Sequence, residues 1–252
     1  MALLGSFCVR IVIHLGVILR WRRLFVFKMK QEPNQFYFNT LPQATLGALK
    51  RCSEMDFFSK NGWYLAGGTA LALQSWHRRS VDLGFFTAKK TFEEKKAEET
   101  MSGGGGWVTT SLDRATLYGE FFGAKISLIA YPFFKPKSPM RKFGTVSILT
   151  PKDIAVMKII AISQRGRKRD FFDLYWICQN TQSLSLQDNI AMVRKQYSIH
   201  QNLAHILKSL VYFEDAESDP EPEIFFKADW DEVKSYFNKE IPIITKKLIG
   251  LN

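Results

Sequence analysis

Cysteine is scarce in this 252-residue chain, and the three present, Cys8, Cys52 and Cys178, are odd in number and share no short spacing. That excludes a disulfide framework and a paired-cysteine zinc site, and it fits a reducing, cytoplasmic compartment. Histidine is sparse too, with four residues. Long apolar runs are missing: in the apolar N-terminus the longest uncharged run, between Arg10 and Arg20, has nine residues, whereas a membrane span needs about twenty. Its arginines follow the apolar run instead of preceding it, so a secretory signal is excluded and no stable membrane span is expected. The glycine run of SGGGGW (102–107) lacks the Gly-Lys-Ser/Thr of a phosphate loop and reads as a helix-to-strand connection. The acidic stretch EDAESDPEPE (214–223) holds six carboxylates but no EF-hand spacing, and reads as a solvated loop.

What the chain does have is positive charge. The formal net charge is +11, which points to a polyanionic partner such as a nucleotide or RNA. Six of the cations (Arg10, Arg20, Arg22, Arg23, Lys28, Lys30) lie in the acid-free first thirty residues, leaving +5 for the remainder. Residues 1–40 are therefore set apart as a basic, apolar extension, with Met29 as an alternative translation start.

From there the patterning divides the chain in two. Residues 41–150 read as an α/β unit: a helix over 41–58, the short strand WYLAGG, a helix ALALQSW capped by Thr69, the strand SVDLGFF with Val81, Leu83 and Phe85 toward the core, and the helix TFEEKKAEETM. Antiparallel strands follow, joined by a tight turn at Phe122-Gly123 that sets Glu120 opposite Lys125. Residues 151–252 read as a helical domain, with helices at PKDIAVMKIIAISQ, DFFDLYWICQN, SLQDNIAMVRKQY, NLAHILKSLVYF and DWDEVKSYFNKEIPIITKKL.

The chemistry concentrates in YLAGGTALALQSWHRRSVDLGFF (64–86). A Gly-Gly turn opening a helix presents free amides and the positive end of the helix dipole, a setting that suits a triphosphate. On the next strand, residues two apart share a face, so Asp-x-Asp would aim two carboxylates at one pair of metal ions. Asp82 is present, and position 84 is glycine.

Four blocks in order, LAGGTALAL…HRRSVDL, GAKIS…YPFF, TPKDIAVMKIIAISQRGRKRDFFDLYWI and LKSLVYFEDAESDPEPE, resemble the AbiEii/AbiGii-type nucleotidyltransferase family, the toxin members of type IV toxin–antitoxin (abortive-infection) pairs. The resemblance runs from about residue 41 to 245. It implies an α/β nucleotidyltransferase fold, a mixed sheet with flanking helices followed by a helical domain. It also implies transfer of a nucleotide from an NTP to RNA, tRNA above all, with Mg²⁺ and with a cognate antitoxin as partner. Matched residue by residue, Gly67, Gly68 and Thr69 fall on the phosphate-side motif, Asp82 on the first metal carboxylate, Lys158 on the lysine near the triphosphate, and Asp170 on the aspartate facing the active site. Arg79 falls on an arginine beside the metal-binding strand.

Two departures stand out. Gly84 replaces the second carboxylate, and Ser127 stands where a third is common, so Mg²⁺ is expected to bind weakly and transfer to be impaired. Glu120, diagonal to Ser127, is either a substitute ligand or the partner of Lys125. The cluster RGRKR, with Arg165, Arg167, Lys168 and Arg169, is either an RNA contact or a solvated loop. Asp170 and Asp173 read either as a general base with its support or as anchors of their helix, and His77 with Arg78 as a polar helix end. The competing functional reading is a catalytically inactive remnant that binds nucleotide or RNA, or engages an antitoxin.

Overall fold

The computed structural model describes residues 35–181, 185–199 and 201–248. The N-terminal extension, with the basic cluster and Met29, lies outside the described residues apart from its last few positions. Residues Phe36–Asn252 form one compact unit.

The first elements behind the sheet are two helices, α1 (Gln43–Ser53) and α2 (Asp56–Lys60), where the periodicity predicts one. The chain breaks at Glu54 and Met55 because it turns there onto the sheet, which lets Phe58 reach Phe85 with ring centroids 4.4 Å apart. Strand β1 (Tyr64–Ala66) runs directly into α3 (Gly67–Ser75), whose N-cap is Ala66. Thr69 does not cap this helix as expected: it sits inside the first turn, and its hydroxyl points to Ser80 and the Asp82 carbonyl instead. Strand β2 (Leu83–Thr87) then leads to α4 (Glu94–Ser102), β3 (Trp107–Asp113), β4 (Thr116–Phe121) and β5 (Ala124–Ala130).

The β4–β5 turn has positive φ at both central residues, Phe122 (50°) and Gly123 (79°), the geometry of a two-residue hairpin. It sets the register the sequence predicts, with Glu120 opposite Lys125. A short hairpin of β6 (Arg141–Phe143) and β7 (Val146–Ile148) completes a seven-stranded mixed sheet, in the order β3-β4-β5-β2-β1-β7-β6. β2 runs parallel to β5, and β1 parallel to β7.

Alternation sorts the strands into two faces. Leu83, Phe85, Leu117, Phe121, Ile126 and Leu128 are buried on the rear face toward α1, α2 and α4. Val81 departs from this pattern and is half exposed, because β2 begins only at Leu83. The front face carries Gly84, Phe86, Ser127, Ile129, Tyr118, Glu120 and Lys125, and it is partly open across β2, β5, β4 and β3.

The helical half comprises α5 (Pro151–Arg165), α6 (Lys168–Asn180), α7 (Leu186–Gln196), α8 (Leu203–Ser209), α9 (Glu214–Glu217) and α10 (Trp230–Leu248). α5 starts with Pro151 in its first turn and stops at Gly166 in the left-handed region, φ 51°, where the Gly166 amide donates to the Ile162 carbonyl. Phe171, Phe213, Trp230 and Phe237 pack edge to face between α6 and α10. α5 and α6 also touch α3, which joins the helical half to the sheet.

Candidate active site

Two groups of side chains meet around the start of α3, and they differ in kind. The first is buried. Asp173 on α6 accepts from Arg78 Nε and Nη2 at 2.6 and 3.0 Å and lies 2.7 Å from His77 Nε2. The Lys158 ammonium sits 2.5 Å from both Asp173 Oδ2 and Asp170 Oδ1. Arg165 closes the chain with Nε and Nη2 3.0 Å from Asp170 Oδ2. Asp170, Asp173 and His77 have no exposed surface, and Arg78 and Lys158 almost none.

Helical spacing explains the acidic side: Asp170 and Asp173 are three apart on α6, one turn of a shared face. Burial alone would raise both carboxyls. The Arg78 guanidinium and Lys158 ammonium reverse this at Asp173, and Lys158 with Arg165 at Asp170, so both are held below the usual carboxylate value. Burial pushes His77 down to about 4 despite Asp173, so its imidazole is neutral at pH 7. Three cations therefore face two carboxylates, leaving one positive charge in excess beside the α3 N-terminus.

The Gly67-Gly68 turn serves this arrangement in two ways. Gly67 has φ 73° and open space off its Cα. A methyl at Gly68 would fall 2.0 Å from Arg78 Nη2 and 3.4 Å from Asp173 Oδ2, so only glycine lets the Arg78–Asp173 pair pass this close to the helix start. First-turn amides have no intrahelical acceptor, which leaves this end of α3 suited to an anion.

The second group is exposed and sparse. Asp82 precedes β2 with about half its side chain in solvent, and its nearest cation is Arg169 Nη1 at 3.7 Å. Two residues on is Gly84, and the parallel register sets Ser127 of β5 directly beside it. Asp82 is thus the one carboxylate among the three positions. Among the described residues no cluster of three metal-ligating side chains occurs. One carboxylate with a neutral hydroxyl two positions away does not fit a pair of Mg²⁺ ions, which need charged oxygen donors.

The remaining sequence candidates divide. Thr69 is buried, its hydroxyl 2.8 Å from Ser80 Oγ and also bonded to the Asp82 carbonyl, which ties α3 to the residue preceding β2. Arg79 is partly exposed, its guanidinium 3.8 Å from Glu223 and its amide on the Glu223 carbonyl. The acidic stretch is not the solvated loop expected. Asp219 accepts from Arg167 at 2.8 Å and from the Lys168 amide at 2.9 Å, Glu221 takes the Lys168 ammonium at 2.9 Å, and Phe225 donates to the His77 carbonyl. All four cations of the 165–169 cluster meet carboxylates of the same chain. His77 and Arg78 are the residues that sequence reasoning placed at a polar helix end, whereas they are buried. Nothing in their periodicity marks this; only the arrival of Asp173 from ninety-five residues away does.

A cavity of about 610 Å³ lies at the other end of β1 and β2, lined by Phe57, Trp63, Thr87 and Phe92, away from Asp82.

Comparison with known proteins places these residues in context. A family model described as nucleotidyl transferase AbiEii toxin, type IV TA system, matches residues 126–244, a span that holds Lys158, Asp170 and Asp173 and begins after Asp82. An uncharacterized protein of Aquifex aeolicus (strain VF5) is 35% identical over 185 residues, covering 72% of this chain and 87% of that protein. Among solved structures, MenT4, a nucleotidyltransferase toxin from Mycobacterium tuberculosis H37Rv, aligns at 12% identity and TM-score 0.48 over 81% of this chain and 86% of its own. The Megavirus polyadenylate synthase aligns at 14% identity and TM-score 0.36 over 58% and 37%. Both structural likenesses are too distant to carry weight.

Proposed function

The chain belongs to the AbiEii nucleotidyltransferase toxin family, and from that premise we propose that it binds an NTP beside the start of α3 and transfers its nucleotide to RNA, tRNA being the expected acceptor, at a rate held low by Gly84. The observation that carries the reading is the Gly84–Ser127 register, which leaves Asp82 alone on a strand pair whose relatives in chemistry need charged oxygens.

The roles follow from placement. The α3 N-terminus, with Gly67 open to solvent, receives the triphosphate, and the excess positive charge of the Arg78–Lys158–Arg165 group behind it adds to the field. Lys158 and Asp170 act from within this group: they hold each other and fix the ground on which the nucleotide sits. Asp82 is the residue that would face a Mg²⁺ ion, and the reaction is slow because that ion lacks a second carboxylate. Arg79 stands at the rim, paired to Glu223. A cognate antitoxin and a cytoplasmic setting complete the proposal; among the described residues, no helix is long and apolar enough to cross a membrane.

The test is transfer of label from each α-labelled NTP to total tRNA with Mg²⁺, in three proteins. The chain as it stands should transfer slowly, Gly84→Asp at least about tenfold faster, and Asp82→Ala not at all. Rapid transfer by the unaltered chain would remove the claim of impairment. If Gly84→Asp also fails while NTP binding persists, the chain is a binding remnant of the fold.

A further inference from the structure

The four cations that the sequence marks for RNA, Arg165 to Arg169, are engaged by Asp170, Asp219, Glu221 and Asp82. A different segment has cations without such partners. From Tyr131 to Lys152 the chain carries Lys135, Lys137, Arg141, Lys142 and Lys152 and no acid. Among the described residues none of the four lysines pairs with a carboxylate, and all four are exposed.

This segment is continuous with the front face of the sheet. Gly84 is followed on that face by Phe86, whose ring edge would lie 3.3 Å from a Cβ at position 84. Phe86 meets Tyr131 at 5.9 Å between centroids, and Tyr131 meets Phe133 at 5.9 Å. Phe133 is 41% exposed. An aromatic file therefore leads from the carboxylate strand to the surface and ends next to Lys135 and Lys137. On the same sheet row as Phe86, through Tyr64 and Ser147, stands Lys142.

The loop is held in place before any ligand arrives. The buried Asp153 carboxylate accepts from the backbone amides of Lys137 and Ser138 at 3.0 and 2.9 Å and is itself held by Gln196 at 2.6 Å. Lys135 donates its amide to the Gln196 carbonyl, and Ser198 donates to that of Phe133. The backbone is anchored while the lysine side chains stay free, which lowers the ordering cost of binding.

The geometry points to the 131–152 segment as the docking track for single-stranded RNA, with phosphates on Lys135, Lys137, Lys142 and Lys152 and a base stacked on Phe133. This assignment rests on the proposed transfer to RNA and gives that reaction its acceptor surface. Cations spaced along an exposed aromatic are what a single strand uses, whereas a duplex keeps its bases stacked and has no use for Phe133.

The test is fluorescence anisotropy of a labelled oligouridylate with the full chain across a salt series. Lys135→Gln/Lys137→Gln should weaken binding about tenfold or more and reduce the slope of log affinity on log salt by about 1.4. Phe133→Ala should weaken it at least about fivefold with the slope unchanged, and Phe133→Leu should do the same with packing retained. Arg167→Glu should leave affinity within about twofold, its cation being already paired with Asp219. Circular dichroism checks that each variant folds. Absence of binding, loss on Arg167→Glu alone, or equal binding of a duplex with Phe133→Ala silent overturns the assignment. The same variants in the label-transfer assay separate the two claims. If RNA binds through this segment but no label moves, the transfer reading fails and the docking track stands. If label moves at an unchanged KM for RNA in the lysine and Phe133 variants, the track fails and the transfer reading stands.

Discussion

The buried group around Asp173 and the exposed strand at Asp82 lie on either side of the same helix start, yet one is crowded with charge and the other nearly stripped of it. Every polar arm of the buried group is answered: His77, Arg78 and Lys158 converge on Asp173, and Lys158 and Arg165 on Asp170. The strand site retains one carboxylate with a distant arginine. The difference follows from what each loss would cost. Removing one member of a buried ion group leaves its partners desolvated and unpaired, so the fold itself opposes the change. Removing a carboxylate from an exposed strand costs the fold almost nothing, because only a bound cation would miss it. Family residues thus fall into two sets, those that folding enforces and those that only chemistry does.

The contrast is broken most directly at Asp173. Asp173→Asn should cost about 3–5 kcal/mol, since it leaves a guanidinium and an ammonium buried with one fewer counter-charge; urea denaturation measures it. An unchanged midpoint would mean that the buried group is ornamental. Acid should act next. His77 has its value lowered to about 4 from an ordinary 6.5, so the unfolded chain takes up a proton first as pH falls. Stability should therefore decline between about pH 6.5 and 4, by about 2–4 kcal/mol, before Asp170 and Asp173, held lower still, take their protons. His77→Gln should flatten that part of the curve. Gly68→Ala follows, at about 2 kcal/mol, because its methyl would displace the Arg78 guanidinium. Gly67→Ala is a poor control, since its φ of 73° strains any side chain.

Local signals carried much of the architecture. The Phe122-Gly123 turn announced both the hairpin and its Glu120–Lys125 register, and the 3.6-residue periodicity located α5, α6, α7, α8 and α10. The three-residue strands β6 and β7 are too short to show alternation, and the α1–α2 break is imposed by packing on Phe85. The candidate site was legible where it is local, at Gly67-Gly68 and at Asp82 with Gly84. It was not legible where it depends on distant pairing. Arg78 and Asp173 are ninety-five positions apart, and Lys168 and Asp219 fifty-one, so a composition that looked like two solvated runs of opposite sign was in fact one docked interface. Thr69 shows the same limit. Its hydroxyl belongs to a tie between α3 and Asp82 that no capping rule anticipates.

The smallest expected effect on stability is the most informative about chemistry. At Gly84 no positive φ forbids a side chain, and a Cβ would meet only the edge of the Phe86 ring at 3.3 Å, a contact the ring relieves by moving a few tenths of an ångström. Gly84→Asp should shift stability by about 1 kcal/mol or less, as should Asp82→Ala, whose ion pair is exposed and long. Under Mg²⁺ the two should part. The new carboxylate shares a face with Asp82 and stands beside Ser127, so Gly84→Asp should gain Mg²⁺-dependent thermal stabilisation that Asp82→Ala cannot show. A melting temperature for Gly84→Asp that ignores Mg²⁺ would mean that the strand has lost the shape of a metal site as well as its charge, and that position 84 was free to drift because nothing there binds a cation.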